Sequence, residues 1–164
     1  MLDICGNGVD LAGPVQHPSR GPVPGMDQDH PRILTICVPG KAVGKGRPRF
    51  GNGRTYTDKK TENAEAWIRH CAVSQVGSPC LEGALAVQME IYVAVPASWA
   101  KKKREAALSG SLRATGRPDV DNVSKAFLDA LNGIVWKDDA QVCDLRVVRL
   151  YAEIPQTVLT TREI

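Results

Sequence analysis

From Leu85 to Val95 apolar and polar positions alternate. Leu85, Val87, Met89, Ile91, Val93 and Val95 fall on one side, with Ala86, Gln88, Glu90, Tyr92 and Ala94 between them. A period of two is that of a strand with one buried face, and Pro96 closes it. Upstream the period changes. Ala64, Trp67, Ile68, Cys71 and Ala72 recur at helical spacing behind Asp58, a good N-cap, which predicts a helix over 59–76 with Trp67 in the core. Ile33 to Val38 is a short β-branched strand ended by Pro39-Gly40, and Gly51-Asn52-Gly53 is a turn of the kind found at hairpin tips. Ser98 can cap a short helix through Leu108, and residues 109–117 form a flexible loop. A second amphipathic helix is predicted from Asn122 to Leu131, burying Val123, Phe127, Ala130 and Leu131 and stopped by Asn132-Gly133. A turn at Lys137-Asp138-Asp139 leads into a strand over 142–152, whose alternation slips at Val147-Val148, and a last strand follows near 157–161.

The chain has 164 residues, enough for one domain with one sizeable core. That domain is expected over residues 31–164. Residues 1–30 are rich in glycine and proline and poor in large apolar residues, so they cannot bury enough surface to offset their ordering entropy. They are expected to form a mobile tail or loosely packed arm, or an extension upstream of a true start at Met26. Five scattered cysteines without a Cys-x-x-Cys pair predict reduced thiols of a cytoplasmic protein, some of them in the core. His17, His30 and His70 lack ligand spacing to these cysteines, which argues against zinc. No apolar run reaches membrane length, and the N-terminus is not patterned as a secretory signal.

Net charge is only +3, but its distribution is informative. Lys41, Lys45, Arg47, Arg49 and Arg54 crowd one segment, Lys101, Lys102, Lys103 and Arg104 another, and Arg113 and Arg117 lead into an acidic motif. For the 101–104 block a merely solvated face is as good a reading as phosphate contact. The acidic residues lie at both ends of the second helix: Pro118-Asp119-Val120-Asp121-Asn122 before it, and Trp136-Lys137-Asp138-Asp139-Ala140-Gln141 after it. If 119–121 is extended, Asp119 and Asp121 point to one side. The helix and turn would then return the chain so that Asp139, with Asp138 as a second candidate, closes a shared cation site. Magnesium prefers oxygen ligands and is often held by one or two carboxylates plus substrate phosphates. Lys125 lies one turn past Asp121, where it would offset the acidic crowding or contact the scissile phosphate. Taken singly, Asp121 reads as an N-cap, Asp138-Asp139 as a turn, and Asp129 as a partner of Lys125. Asp119, Asp121 and Asp139 taken together with the basic loops favour a metal-dependent enzyme acting on a polyanion.

Several stretches, in order, resemble one family. They are Pro118-Asp-Val-Asp-Asn-Val-Ser-Lys125, Asp129-Ala-Leu-Asn-Gly133 and Trp136-Lys-Asp-Asp-Ala-Gln141, preceded by Pro39-Gly-Lys-Ala-Val-Gly-Lys-Gly-Arg-Pro-Arg49 and Ser98-Trp-Ala-Lys-Lys-Lys103. Together they resemble the RusA-type Holliday-junction resolvases, small phage and prophage endodeoxyribonucleases, over roughly residues 32–155. The resemblance implies a homodimeric α+β fold, a small mixed sheet with two or three helices packed on it. It implies cutting of two opposed strands of a four-way DNA junction with magnesium, manganese being a possible substitute. It also implies metal-binding carboxylates at Asp119, Asp121 and Asp139, with Asp138 beside the key position, and an essential lysine at Lys125.

The expectation is therefore a magnesium-dependent, structure-selective endonuclease of recombination and repair. It would need no organic cofactor and have no membrane partner. Lys45, Arg47, Arg49, Arg54, Lys101, Lys102, Lys103, Arg113 and Arg117 would hold DNA. Two alternatives carry different outcomes. One is a non-catalytic junction-binding protein on the same scaffold, which would not cut with either metal. The other is a metal-dependent nucleotide phosphohydrolase, which would be inhibited by nucleoside triphosphate rather than by junction DNA.

Overall fold

The computed structural model describes residues 32–46, 49–51, 54–56 and 58–164, with residues 49–51 and 54–56 as backbone only. The extension expected over residues 1–30, and with it Met26, lies outside the described residues. In chain order the elements are β1 (Ile33–Pro39), β2 (Arg49–Gly51), β3 (Arg54–Tyr56), α1 (Lys59–Val76), β4 (Leu85–Ala94), α2 (Lys101–Leu108), α3 (Val120–Leu131), β5 (Val142–Ala152) and β6 (Gln156–Glu163). A 3-10 turn, Asp139–Gln141, precedes β5.

Four strands form one mixed sheet in the order β1-β6-β4-β5. The β1–β6 and β6–β4 pairs are antiparallel, and β4–β5 is parallel. The small β2–β3 hairpin stands apart as a second sheet. This is the α+β class expected, with a mixed sheet and three helices. A parallel pair cannot be joined by a tight turn, so the chain between β4 and β5 must make a long crossover. That crossover carries α2, the 109–118 loop and α3, and the acidic motif lies within it.

The apolar alternation of β4 does what its period demands: Leu85, Val87, Met89 and Ile91 are buried. On α3 the buried stripe is Val123, Ala126, Phe127, Ala130 and Leu131, set against α1. The Val123, Phe127 and Leu131 side chains each contribute roughly 1.5–3 kcal/mol by leaving water. Beyond α3, Gly133 at φ 73° ends the helix in a conformation that favours glycine. Trp136 is then fully buried, its indole N–H donating to Asn132 Oδ1 at 2.9 Å.

Three local expectations are corrected. Trp67 is 47% exposed, because Thr61, Ile68, Cys71 and Ala72 form the buried stripe of α1 and leave it on the shoulder. There it stacks on His70 and donates to the Pro39 carbonyl at 3.1 Å. The cap of α2 is Ala100, not Ser98, since a turn follows Pro96 first. The helix α3 starts at Val120, two residues earlier than expected, with Asp119 as its N-cap.

Candidate active site

Asp119 is extended, at φ −69° and ψ 147°, and occupies the position where an aspartate usually accepts a bond from the first helical amides. It makes no such bond. Asp121, in the first turn, is exposed. Neither carboxylate has an ion-pair or hydrogen-bond partner among the described residues. The earlier helix start removes strand alternation as a reason for these two to share a side, and of the two only Asp119 lines the neighbouring cleft. They are grouped instead by the helix N-terminus, whose unpaired amides and dipole favour anionic groups.

A cleft of about 880 Å³ opens beside Asp119. Its walls include the 41–46 loop, Lys60 and Thr61 from the start of α1, and Arg117, Pro118 and Asn122. The loop is held close. The Lys45 amide donates to the Asn122 carbonyl at 2.9 Å, and the Gly46 amide to Thr61 Oγ1 at 3.0 Å. A Cβ on Gly44 would stand 3.1 Å from Asn122 Cβ and 3.2 Å from Pro118 Cβ, so this approach leaves little room for a side chain. The exposed cations Lys41, Lys60 and Arg117 thus share the cleft with Asp119. Sequence reasoning passed over Lys60. The signal available for it was its place beside the Asp58 cap of a helix following the basic loop.

Lys45, expected to hold DNA, lines the same cleft and also carries an internal ion pair. Its ammonium pairs with Asp129 and lies 3.4 Å from Glu65, which ties α3 to α1. Burial lowers its pKa, but the hydrogen bond to Asp129 and the charges of Glu65 and Asp129 outweigh that and raise it overall. Asp129 also takes Lys125, whose Nζ is 3.9 Å from Oδ1. This is the lysine pairing expected of Asp129. The side chain of Lys125 remains 64% exposed on the face that carries Asp121.

Asp138 and Asp139 occupy the other end of α3. Asp138 caps the 3-10 turn: its Oδ1 accepts from the Ala140 amide at 2.9 Å, and Gln141 Oε1 accepts from the Lys137 and Asp138 amides at 2.8 and 3.1 Å. The Gln141 amide group in turn donates to the Leu81 and Gly83 carbonyls at 3.0 Å each, fixing the corner to the chain entering β4. Asp139 makes no such bond among the described residues and is half-buried.

The expected convergence of these two acidic stretches within one chain is not found. The 12 residues of α3 advance about 18 Å between them. Arg149, near the end of β5, reaches the carbonyls just before Asp119, whereas Asp139 precedes the start of β5. The strand from Val142 to Arg149 alone covers about 23 Å. Among the described residues no group of three or more His, Cys, Asp or Glu stands close enough to hold a metal ion. The physical reason is that a helix separates its ends by its own length.

Of the remaining basic residues, Lys103 lies, through Trp99 and Tyr151, near the end of β5 that also holds Arg149. Lys101, Lys102 and Lys103 are exposed on α2. Lys103 Nζ sits 3.9 Å over the Trp99 ring, which meets Tyr151 edge-on near the end of β5. Arg113 is exposed on the crossover loop. Arg47 lies outside the described residues, and Arg49 and Arg54 are described by backbone alone, in β2 and β3.

The four described cysteines, Cys37, Cys71, Cys80 and Cys143, are free thiols, and Cys71 is buried. Among the described residues no helix is long and apolar enough to cross a membrane.

Over residues 39–162 the chain matches the family described as Endodeoxyribonuclease RusA. It is also 35% identical over 137 residues to a protein of Bacillus subtilis (strain 168) described as "Uncharacterized protein YqaN", covering 80% of this chain and 96% of that one.

Proposed function

Since the chain belongs to the RusA family of endodeoxyribonucleases, we propose that it is a magnesium-dependent, structure-selective nuclease that resolves four-way DNA junctions as a homodimer. Its setting would be cytoplasmic recombination and repair, in a phage or prophage context. The observation that carries this reading is Asp119: a cap-position carboxylate that forgoes its cap bond and faces a cleft lined with cations. A carboxylate that holds a cation must keep its oxygens free, and Asp58, at the start of α1 on the same cleft, likewise makes no cap bond.

Asp119 and Asp121 suit magnesium, which commonly takes one or two carboxylates and completes its shell with water and phosphate oxygens. Bound there, the ion would supply polarisation of a phosphoryl oxygen and activation of water, and manganese would serve in its place. The chain's own groups do the rest. Lys41, Lys60 and Arg117 hold the strand's phosphates along the cleft, and Arg113 with Lys101, Lys102 and Lys103 extend that surface. Lys125, one turn beyond Asp121, presents its ammonium to the phosphate and stabilises charge that develops there. Arg47, Arg49 and Arg54 belong to the same basic segment and are proposed as further phosphate contacts. Lys45 organises the site by joining the loop to both helices.

Asp139 completes the acidic set from a second copy. Within one chain it is about a helix length from Asp119, so a shared site requires two chains. Asp139, not the capping Asp138, is the proposed ligand. A two-fold dimer would offer two such sites to a nearly two-fold junction, which suits paired nicking. The substitution Asp121→Asn tests the reading on a synthetic four-way junction. Cleavage with magnesium should fall at least about a hundredfold, the upper range for disturbing groups around a metal, while gel-shift affinity without metal is retained. Equal loss of binding and cutting would make Asp121 structural.

A further inference from the structure

Gly116, Arg117 and Pro118 lead directly into Asp119, yet they lie in neither a helix nor a strand. One side chain takes up their carbonyls. Arg149 Nη1 donates to the Gly116 carbonyl and, at 3.0 Å, to that of Pro118, while Nη2 donates to the Arg117 carbonyl at 3.2 Å. Arg149 is itself held in β5, opposite Ile91 of the central strand β4. The segment is therefore hung from the sheet by a guanidinium.

Arg149 has no carboxylate within ion-pair distance among the described residues, and its Nε is buried without a hydrogen-bond partner. Arg149 as a whole is half-buried, and even partial burial of a charge without an opposite charge carries a cost. What the guanidinium uniquely offers is a rigid planar fork that can engage several acceptors at once. All its acceptors lie in the three residues before Asp119.

We propose that Arg149 is a positioning residue: by clamping the 116–118 carbonyls to β5 it sets where Asp119 and Asp121 present their carboxylates to a divalent cation. The proposal rests on the metal-dependent nuclease reading. It extends that reading to a residue outside both the acidic motif and the basic loops. A group that orients ligands without touching the ion typically changes metal affinity by roughly ten- to a hundredfold when removed.

The test uses the full chain with Arg149→Met and Arg149→Lys. Three quantities are measured: Mn2+ affinity by electron paramagnetic resonance without DNA, amide hydrogen exchange over residues 113–121, and the melting temperature. Arg149→Met should weaken Mn2+ binding roughly tenfold or more and speed exchange in that segment at temperatures well below melting. Arg149→Lys, which keeps a cation but not the fork, should lose less. A fall in melting temperature with Mn2+ affinity and exchange unchanged would make Arg149 structural and overturn the proposal. Should Arg149→Met fail to fold, the same two readouts on Arg149→Lys decide. A wild-type chain that binds no Mn2+ and cuts no junction overturns the nuclease reading itself. A wild-type chain that does both, beside variants that match it, overturns only the role of Arg149.

Discussion

The two ends of α3 carry similar sequences and use them differently. At the first, Asp119 sits in a cap position but leaves its carboxylate unbonded, beside exposed Lys41, Lys60 and Arg117. At the second, Asp138 also sits in a cap position and does cap, reinforced by Gln141. The contrast teaches that an aspartate before a helical turn is not informative alone. What distinguishes a ligand from a cap is whether its oxygens are already engaged. By that measure the first corner offers Asp119 and Asp121, with Asp58 unengaged on the same cleft, and the second offers Asp139.

The largest expected effect separates two neighbours. Asp139→Asn should lower junction cleavage at least about a hundredfold, with the melting temperature little changed. Asp138→Ala should leave most cleavage intact and cost about 1 kcal/mol of stability, the usual value of a lost cap, while Asp138→Asn, an equally good cap, should be near neutral. Reversal of this order in cleavage assays and thermal melts would break the comparison and move the ligand to Asp138.

A second expectation sharpens the first corner. Lys45→Met leaves Glu65 and Asp129 partly buried without their shared cation, and should cost about 1–2 kcal/mol in denaturant unfolding, discounted from a fully buried pair because the side chain is 29% exposed. The sign with pH follows from the raised pKa of Lys45. Its contribution is fully present below the ordinary lysine value of 10.5 and is lost only as pH rises above it through the folded value. The cost of the substitution should therefore be flat through neutral pH and shrink in strong alkali. A cost that grows toward high pH would contradict the pairing seen here.

Much of the scaffold was legible because its signals are local. The alternation of Leu85 to Ile91 and the helical spacing of Ile68, Cys71 and Ala72 each name a buried face, and β4 and α1 follow them. The start of α3 was harder, because Asp119 and Asp121 are both good caps and local preference cannot choose between them. Here Arg149 clamps residues 116–118, and Asn122 receives the Lys45 amide, so contacts distant in sequence decide. The partnership of Lys45 with Asp129, 84 residues away, left no trace in the local pattern. Nor did the clamp, since an arginine in a strand usually reaches solvent. The separation of the acidic corners is another matter. A helix of ten or so residues is about 15 Å long whatever its neighbours do, so helix length already opposed a shared site within one chain.

Mixing two inactive variants tests the central claim most directly. Asp121→Asn chains and Asp139→Asn chains, refolded together so that dimers re-form at random, are assayed for magnesium-dependent nicking of a four-way junction. If each site combines Asp119 and Asp121 of one chain with Asp139 of the other, every mixed dimer holds one intact site. Nicking should then return to roughly a quarter of the wild-type site content, half the dimers with half their sites. If all three carboxylates act within one chain, the mixture stays as inactive as its parents, and the two-chain site is wrong.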